Sequence, residues 1–173
     1  MILYSGQQFQ EVTDAPGWSG GIYDGKIRIP IGGIEHETPG LKRILYHEYT
    51  HAVVRAITPR CPTWLNEGLA QHFEGREIDG GQRAMLAKIA REGRLPQLAS
   101  LEGPFMGLNS GQASLAYLYS LSSVRYMVDA FGMYRIKSVL EELSKGADTG
   151  KAISSGILLS YDELDRGWKR SLE

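Results

Sequence analysis

The stretch Leu41-Lys42-Arg43-Ile44-Leu45-Tyr46-His47-Glu48-Tyr49-Thr50-His51-Ala52-Val53-Val54-Arg55-Ala56-Ile57-Thr58 decides how this chain is read. Apolar residues at Leu41, Ile44, Leu45, Ala52, Val53 and Ile57 recur at spacings of three, four and seven, the period of an amphipathic helix about four to five turns long. Thr38-Pro39 supplies a hydroxyl cap and a proline for its first position, and Pro59 pushes Thr58 out of helical conformation at its end. Within the helix lies His47-Glu48-Tyr49-Thr50-His51, which is H-E-x-x-H. Histidines four residues apart project from one helix face, within reach of one ion. Neutral imidazole is a good zinc ligand, and Glu48 beside the first histidine can take a proton from an attacking water. The competing reading is a helix with two ordinary histidines, although the chain has only four in 173 residues.

The next stretch, Cys61-Pro62-Thr63-Trp64-Leu65-Asn66-Glu67-Gly68-Leu69-Ala70-Gln71-His72-Phe73, reads as a second helix. Thr63 is placed to cap it, Trp64, Leu65, Leu69 and Phe73 form an apolar face, and Glu67 points elsewhere. Residues 52 to 66 separate His51 from Glu67. That interval finishes the first helix, turns at Pro59 to Pro62 and returns antiparallel, bringing a carboxylate to the histidine pair as third ligand. Two His and one Glu leave a fourth position open, the arrangement of a catalytic rather than a structural zinc.

His-Glu-x-x-His followed by Trp-Leu-Asn-Glu-Gly-Leu-Ala resembles the gluzincin metallopeptidases. The closest likeness is to the compact peptidase MA-like domains of bacterial proteins, sometimes found beside tetratricopeptide repeats. The resemblance runs from about Trp18 to Trp168. It implies a zincin-like fold, a Zn2+ held by His47, His51 and Glu67, and Glu48 as general base. Asn66 matches the family's Asn-Glu pair. The resemblance further implies that Ala116-Tyr117-Leu118-Tyr119-Ser120 brings a tyrosine hydroxyl to the oxyanion, with Tyr117 preferred and Tyr119 second. A phenol stays protonated at neutral pH and can donate to developing negative charge. An extended substrate lying along an edge strand is also implied, and the Gly20 to Pro30 hairpin is the candidate for that strand.

Composition narrows the alternatives. Hydrophobic residues make up 42% and charged residues 23%, with a net charge of −1. These values are ordinary for a globular chain and give no basic footprint for nucleic acid. No run of about 18 apolar residues suggests a membrane span, and Met1-Ile2-Leu3-Tyr4 lacks the regions of a signal peptide. The compartment stays open, since an extracytoplasmic home is compatible with a chain cut from a longer protein. The length fits one domain over residues 1–173. The one cysteine, Cys61, lies in the inter-helix turn and rules out an internal disulfide.

Elsewhere the chain reads as short strands and helices. Met1 to Tyr4 is a strand, Gln7 to Val12 a short helix, and Trp18 to Ile31 a hairpin around a two-residue Asp24-Gly25 turn, with Pro30 at an edge or strand end. His36 reads as a surface residue, and His72 as packed or solvated. Helices follow at Gln82 to Glu92, Ser110 to Phe131, Tyr134 to Lys145 and Thr149 to Ser155, and a capping box at Ser160 and Glu163 opens the last. The irregular segment Leu95 to Met106 is a candidate wall for the cleft.

The expectation is therefore α+β: a small, mostly antiparallel N-terminal sheet packed on a mainly helical body, with zinc-dependent peptide hydrolysis as the function. A peptide or protein would be the substrate, with repeat domains as potential neighbours in a longer chain. The alternative is a non-catalytic zinc-binding domain of the same fold used as a scaffold or partner-binding module.

Overall fold

The computed structural model describes residues 2–13, 21–31 and 38–173. Strand β1 is Ile2–Tyr4 and helix α1 Gly6–Thr13, followed by strands β2, Ile22–Tyr23, and β3, Ile27–Pro30. Eight-residue α1 is then outnumbered by longer helices: α2 Pro39–Ile57, α3 Thr63–Phe73, α4 Gly80–Arg91, α5 Ser110–Phe131, α6 Met133–Ser144, α7 Thr149–Ile157 and α8 Tyr161–Arg170. Between α4 and α5 lie two 3-10 turns, Leu98–Leu101 and Phe105–Gly107.

Side chains set the helix ends. Thr38 Oγ1 accepts from Leu41 N at 3.1 Å and Pro39 takes the first position of α2. Reciprocal capping boxes open α4 (Asp79 with Gln82), α5 (Asn109 with Gln112) and α8 (Ser160 with Glu163). Each satisfies backbone donors that the first turn leaves without partners. Gly132, at φ 80°, ends α5 in a conformation an L side chain resists. The expected cap at Thr63 is not what forms. Pro62 occupies the cap position without a side-chain bond, and Thr63 N donates instead to Glu102 O at 3.1 Å, tying α3 to the segment before α5.

The sheet departs from expectation in two ways. Its order is β1-β3-β2, with β1 parallel to β3 and β2 antiparallel to it, so it is mixed rather than mostly antiparallel. Parallel neighbours need a crossover, and the chain through α1 provides one between β1 and the hairpin. Ile22 pairs with Arg28 and Tyr23 with Ile27, leaving three residues, Asp24, Gly25 and Lys26, in the connection. Gly25 at φ 100° accommodates this wider loop in place of the expected two-residue turn. β3 is therefore the central strand, with Pro30 at its end, and the free edge of the hairpin belongs to β2.

The core lies between α3 and the helices of the C-terminal half. Trp64, Leu65 and Leu69 of α3 bury against Leu121, Val124 and Met127 of α5, and Ile136, Val139, Ile153, Leu164 and Trp168 continue the cluster through α6, α7 and α8. Buried polar tips are matched within it: Trp64 Nε1 donates to Tyr161 Oη at 2.9 Å, Trp168 Nε1 to Ser122 Oγ at 3.0 Å, and Leu98 N to Asp165 Oδ1 at 2.9 Å. Two sequence-derived faces need correction. Phe73 is half exposed, because α3 ends there beyond the core. On α2 the buried residues are Glu48, Thr50 and Val54, whereas Val53 is exposed, so the helix turns a largely polar face inward. No helix among the described residues is long and apolar enough to cross a membrane.

The α3–α5 crossing is close because Gly68 has no side chain. A Cβ there would sit 2.3 Å from Ser120 O and 2.5 Å from Val124 Cγ2, and the first of these is backbone that cannot swing aside. Gly68→Ala is therefore expected to lower stability by about 2 kcal/mol, the overpacking cost exceeding the helix-propensity gain of about 1 kcal/mol. Urea unfolding checks this: a lower midpoint at unchanged slope is the expected result, and an unchanged or higher midpoint would mean the helices are not in contact there.

Candidate metal centre

α2 and α3 lie side by side, joined by the short turn through Pro59 and Pro62. Into the cleft between them come His47, Glu48 and His51 from α2, Glu67 and Gln71 from α3, and Glu74, the residue that caps the C-terminal end of α3. One ligand atom each from His47, His51 and Glu67 falls in a group whose members all lie within 4.8 Å of one another. Glu67 Oε2 is 3.6 Å from His47 Nε2 and 3.8 Å from His51 Nε2. Tetrahedral zinc with ligands at its usual bond lengths needs ligand atoms about 3.3 Å apart, so small side-chain adjustments close the set around an ion.

Hydrogen bonding agrees with that fit. Glu67 Oε2 and Glu48 Oε2 are both buried with no hydrogen-bond partner among the described residues. A buried carboxylate oxygen left unpartnered costs several kcal/mol unless a cation or donor meets it, so these atoms are arranged as for a metal site. His47 is oriented from behind: its Nδ1 lies 2.9 Å from Glu74 Oε2. That contact leaves Nε2 facing Glu67, the carboxylate-to-imidazole arrangement that fixes the ring of a metal ligand. His51 has no such support. Asn66 is near enough to favour its charged form, yet His51 Nδ1 and Asn66 Oδ1 do not reach hydrogen-bond geometry and both are buried without a partner.

The electrostatics differ between the two imidazoles. Burial works against a charge on His47, but the carboxylates of Glu67 and Glu74 beside its two ring nitrogens outweigh it and raise its pKa to about 10. Burial dominates at His51 and holds its pKa below the usual value. Glu48 is 5% exposed, and burial, opposed by His47, pushes its carboxyl up to about 7. A carboxylate of that basicity is matched to proton transfer near neutral pH.

These groups open onto a cleft of about 1020 Å³. Its lining includes Gly21 and Ile22 at the β2 edge and Ala113 and Tyr117 of α5. Gly21 leaves room for Glu48: a Cβ there would meet Glu48 Oε1 at 2.8 Å and Cγ at 2.9 Å, so the Glu48 side chain would have to shift. The Tyr117 ring packs edge-on against Phe105 at 5.5 Å, and burial together with the charges of Glu67 and Glu48 raises its hydroxyl pKa. Tyr119 turns the other way, 8% exposed in the core with its ring 6.2 Å from Trp168. Of the two tyrosines, Tyr117 is the one beside the cleft. Met106, at the end of the irregular segment, also lines it.

Among the described residues, Cys61 and His72 stand outside the ligand group. Cys61 borders the cleft, but burial pushes its thiol up to about 12, leaving it protonated at neutral pH. His72 is half-buried with its ring against Phe73 at 5.3 Å, outside the ligand group. His36 lies outside the described residues. Sequence reasoning missed Glu74 and Gln71. Glu74 stands seven residues after Glu67, two helical turns along the same face, and that spacing was its available signal.

Glu48 gives the site a stability signature. Its pKa in the folded metal-free chain lies above the ordinary 4.5, so ionising it opposes folding. The penalty is absent at pH 4.5, grows as pH rises to about 7, and is constant above. Glu48→Gln should thus raise the melting temperature of the metal-free chain by a few degrees at pH 8, about 1–3 kcal/mol, with little difference at pH 4.5. Equal melting temperatures at both pH values would place Glu48 in water.

No curated protein and no solved structure matches this chain. The family model described as Peptidase MA superfamily matches residues 1–173. With its whole length matched, and with His47, His51 and Glu67 grouped so that they can hold a metal, this chain belongs to the Peptidase MA superfamily.

Proposed function

We propose that this protein is a zinc-dependent peptidase of gluzincin type, with a zincin-like fold built on the α2 and α3 pair. The observation that carries the reading is the grouping of His47, His51 and Glu67 around one point, with the buried Glu48 carboxylate beside it in an open cleft. A zinc ion held by these three residues would polarise the scissile carbonyl and make a water nucleophilic near neutral pH.

The chain's own groups supply the rest. Glu48 takes the water's proton as the oxygen attacks the carbonyl carbon, then delivers it to the leaving amine. The Tyr117 hydroxyl, kept protonated, donates to the carbonyl oxygen as it gains negative charge. Glu74 holds the His47 ring through Nδ1. Among the described residues no strand pairs with the outer edge of β2, so an extended peptide can add there as a further strand, gaining affinity without strong sequence choice.

The scaffold alternative is less well supported because of Glu48. It lies outside the ligand set, and burying it costs stability, so a module that only held metal would be better served by an apolar or amide side chain.

Metal analysis combined with cleavage profiling of a peptide library tests the proposal. Wild type is expected to hold about one zinc per chain and to cleave, with activity lost to a chelator and regained with zinc. Glu48→Gln should keep the metal while turnover falls by about 10³-fold or more, whereas His51→Ala and Glu67→Ala should lose both. Glu74→Gln should weaken zinc affinity by about 10–100-fold. A wild-type chain that holds zinc and cleaves no peptide would favour the scaffold reading.

A further inference from the structure

Gln71 is 1% exposed, a buried amide at the point where α3 crosses α5. Its Nε2 donates 3.2 Å to Glu67 O, one turn back in its own helix, and 2.9 Å to Tyr117 O in the neighbouring one. Both hydrogens of one amide thus go to the backbone carbonyls of the third ligand and of the cleft tyrosine. Its Oε1 is buried with no hydrogen-bond partner among the described residues, a cost of about 1–3 kcal/mol that methionine or leucine at this position would avoid.

From this bridge we infer that Gln71 is a positioning residue, setting the Tyr117 hydroxyl relative to the Glu67 carboxylate by fixing α5 against α3 at that level. The inference rests on the role proposed above for Tyr117. Gly68 allows the same two helices to approach at Ser120, three residues after Tyr117 just as Gln71 is three residues after Gly68. Contact at Gly68 and Ser120 brings the helices together, and the Gln71 bridge adds a directional hold against sliding or rotation. A transition-state donor is sensitive to such displacement, since misplacement by about 1 Å can cost about 10²-fold in rate. Apolar packing is tolerant of sliding, whereas a hydrogen bond is not.

The test is a double-mutant cycle on the full chain, using the fluorogenic peptide that wild type cleaves best from a library. Gln71→Met keeps the volume and removes both donors. Expected is a fall of about 10-fold in kcat with KM within about 2-fold, unchanged zinc content and a melting temperature at or above wild type. Tyr117→Phe should cost about 10²-fold in kcat, and adding Gln71→Met to it should cost little more, because the bridge then has no hydroxyl to place. Gln71→Leu serves the same cycle if the methionine variant does not fold. The inference is overturned if Gln71→Met matches wild type, if its loss multiplies fully with that of Tyr117→Phe, if the loss follows zinc, or if both apolar variants fail to fold. A wild type that holds zinc and cleaves nothing instead overturns the peptidase reading, and this inference with it.

Discussion

A polar seam between two helices governs this molecule. Where α2 meets α3, the facing side chains include two imidazoles and the carboxyls of Glu48, Glu67 and Glu74, in positions that an ordinary helix pair fills with leucine and valine. Such groups repay burial only when each charge meets a partner of the opposite sign. Within the seam the pairing is incomplete: Glu74 reaches His47, while oxygens of Glu48 and Glu67 find no hydrogen-bond partner among the described residues. A cation placed among the two histidines and Glu67 would complete the set.

A seam of this kind cannot hold its own helices together, and the rest of the chain does so for it. Trp64, Leu65 and Leu69 anchor the opposite face of α3 in the core shared with α5 to α8, so Glu67 is presented from a helix whose other side is fully buried. α2 is held less by apolar contact, with only Val54 among its apolar residues buried. Its position depends on the short covalent turn to α3, on the sheet above it, and on the His47–Glu74 contact. The side of the site formed by α3 and α5 is therefore the rigid one, and α2 is the element whose placement a bound ion would most improve.

The helices of the site were legible because their signals are local. His47, Glu48 and His51 sit within one turn and a half, Glu67 follows on a second periodic run, and caps such as Thr38 and Ser160 are local in sequence. What depended on tertiary context was not legible. The apolar period of α2 pointed to Val53 as buried, but the helix turns its polar face inward, which periodicity counts as the outside. The parallel pairing of β1 with β3 joins residues 26 positions apart through a crossover, and three-residue strands carry too little pattern to announce it. Glu74 and Gln71 are common residue types whose meaning lies only in their partners, His47 Nδ1 and Tyr117 O. In the sequence only the resemblance prefers Tyr117 over Tyr119; helix geometry points neighbours two apart to opposite sides, and which side faces the cleft needed the fold.

Zinc-edge X-ray absorption on the purified, zinc-loaded chain reads the ligands of the α2–α3 seam. Expected for wild type is a four-coordinate zinc with two imidazole nitrogens and low-atomic-number oxygen ligands at about 2.0–2.2 Å and no sulfur, and for His51→Ala no such zinc, since that variant does not retain the metal. A spectrum with a sulfur ligand at about 2.3 Å, or one unchanged by that substitution, would contradict this ligand set.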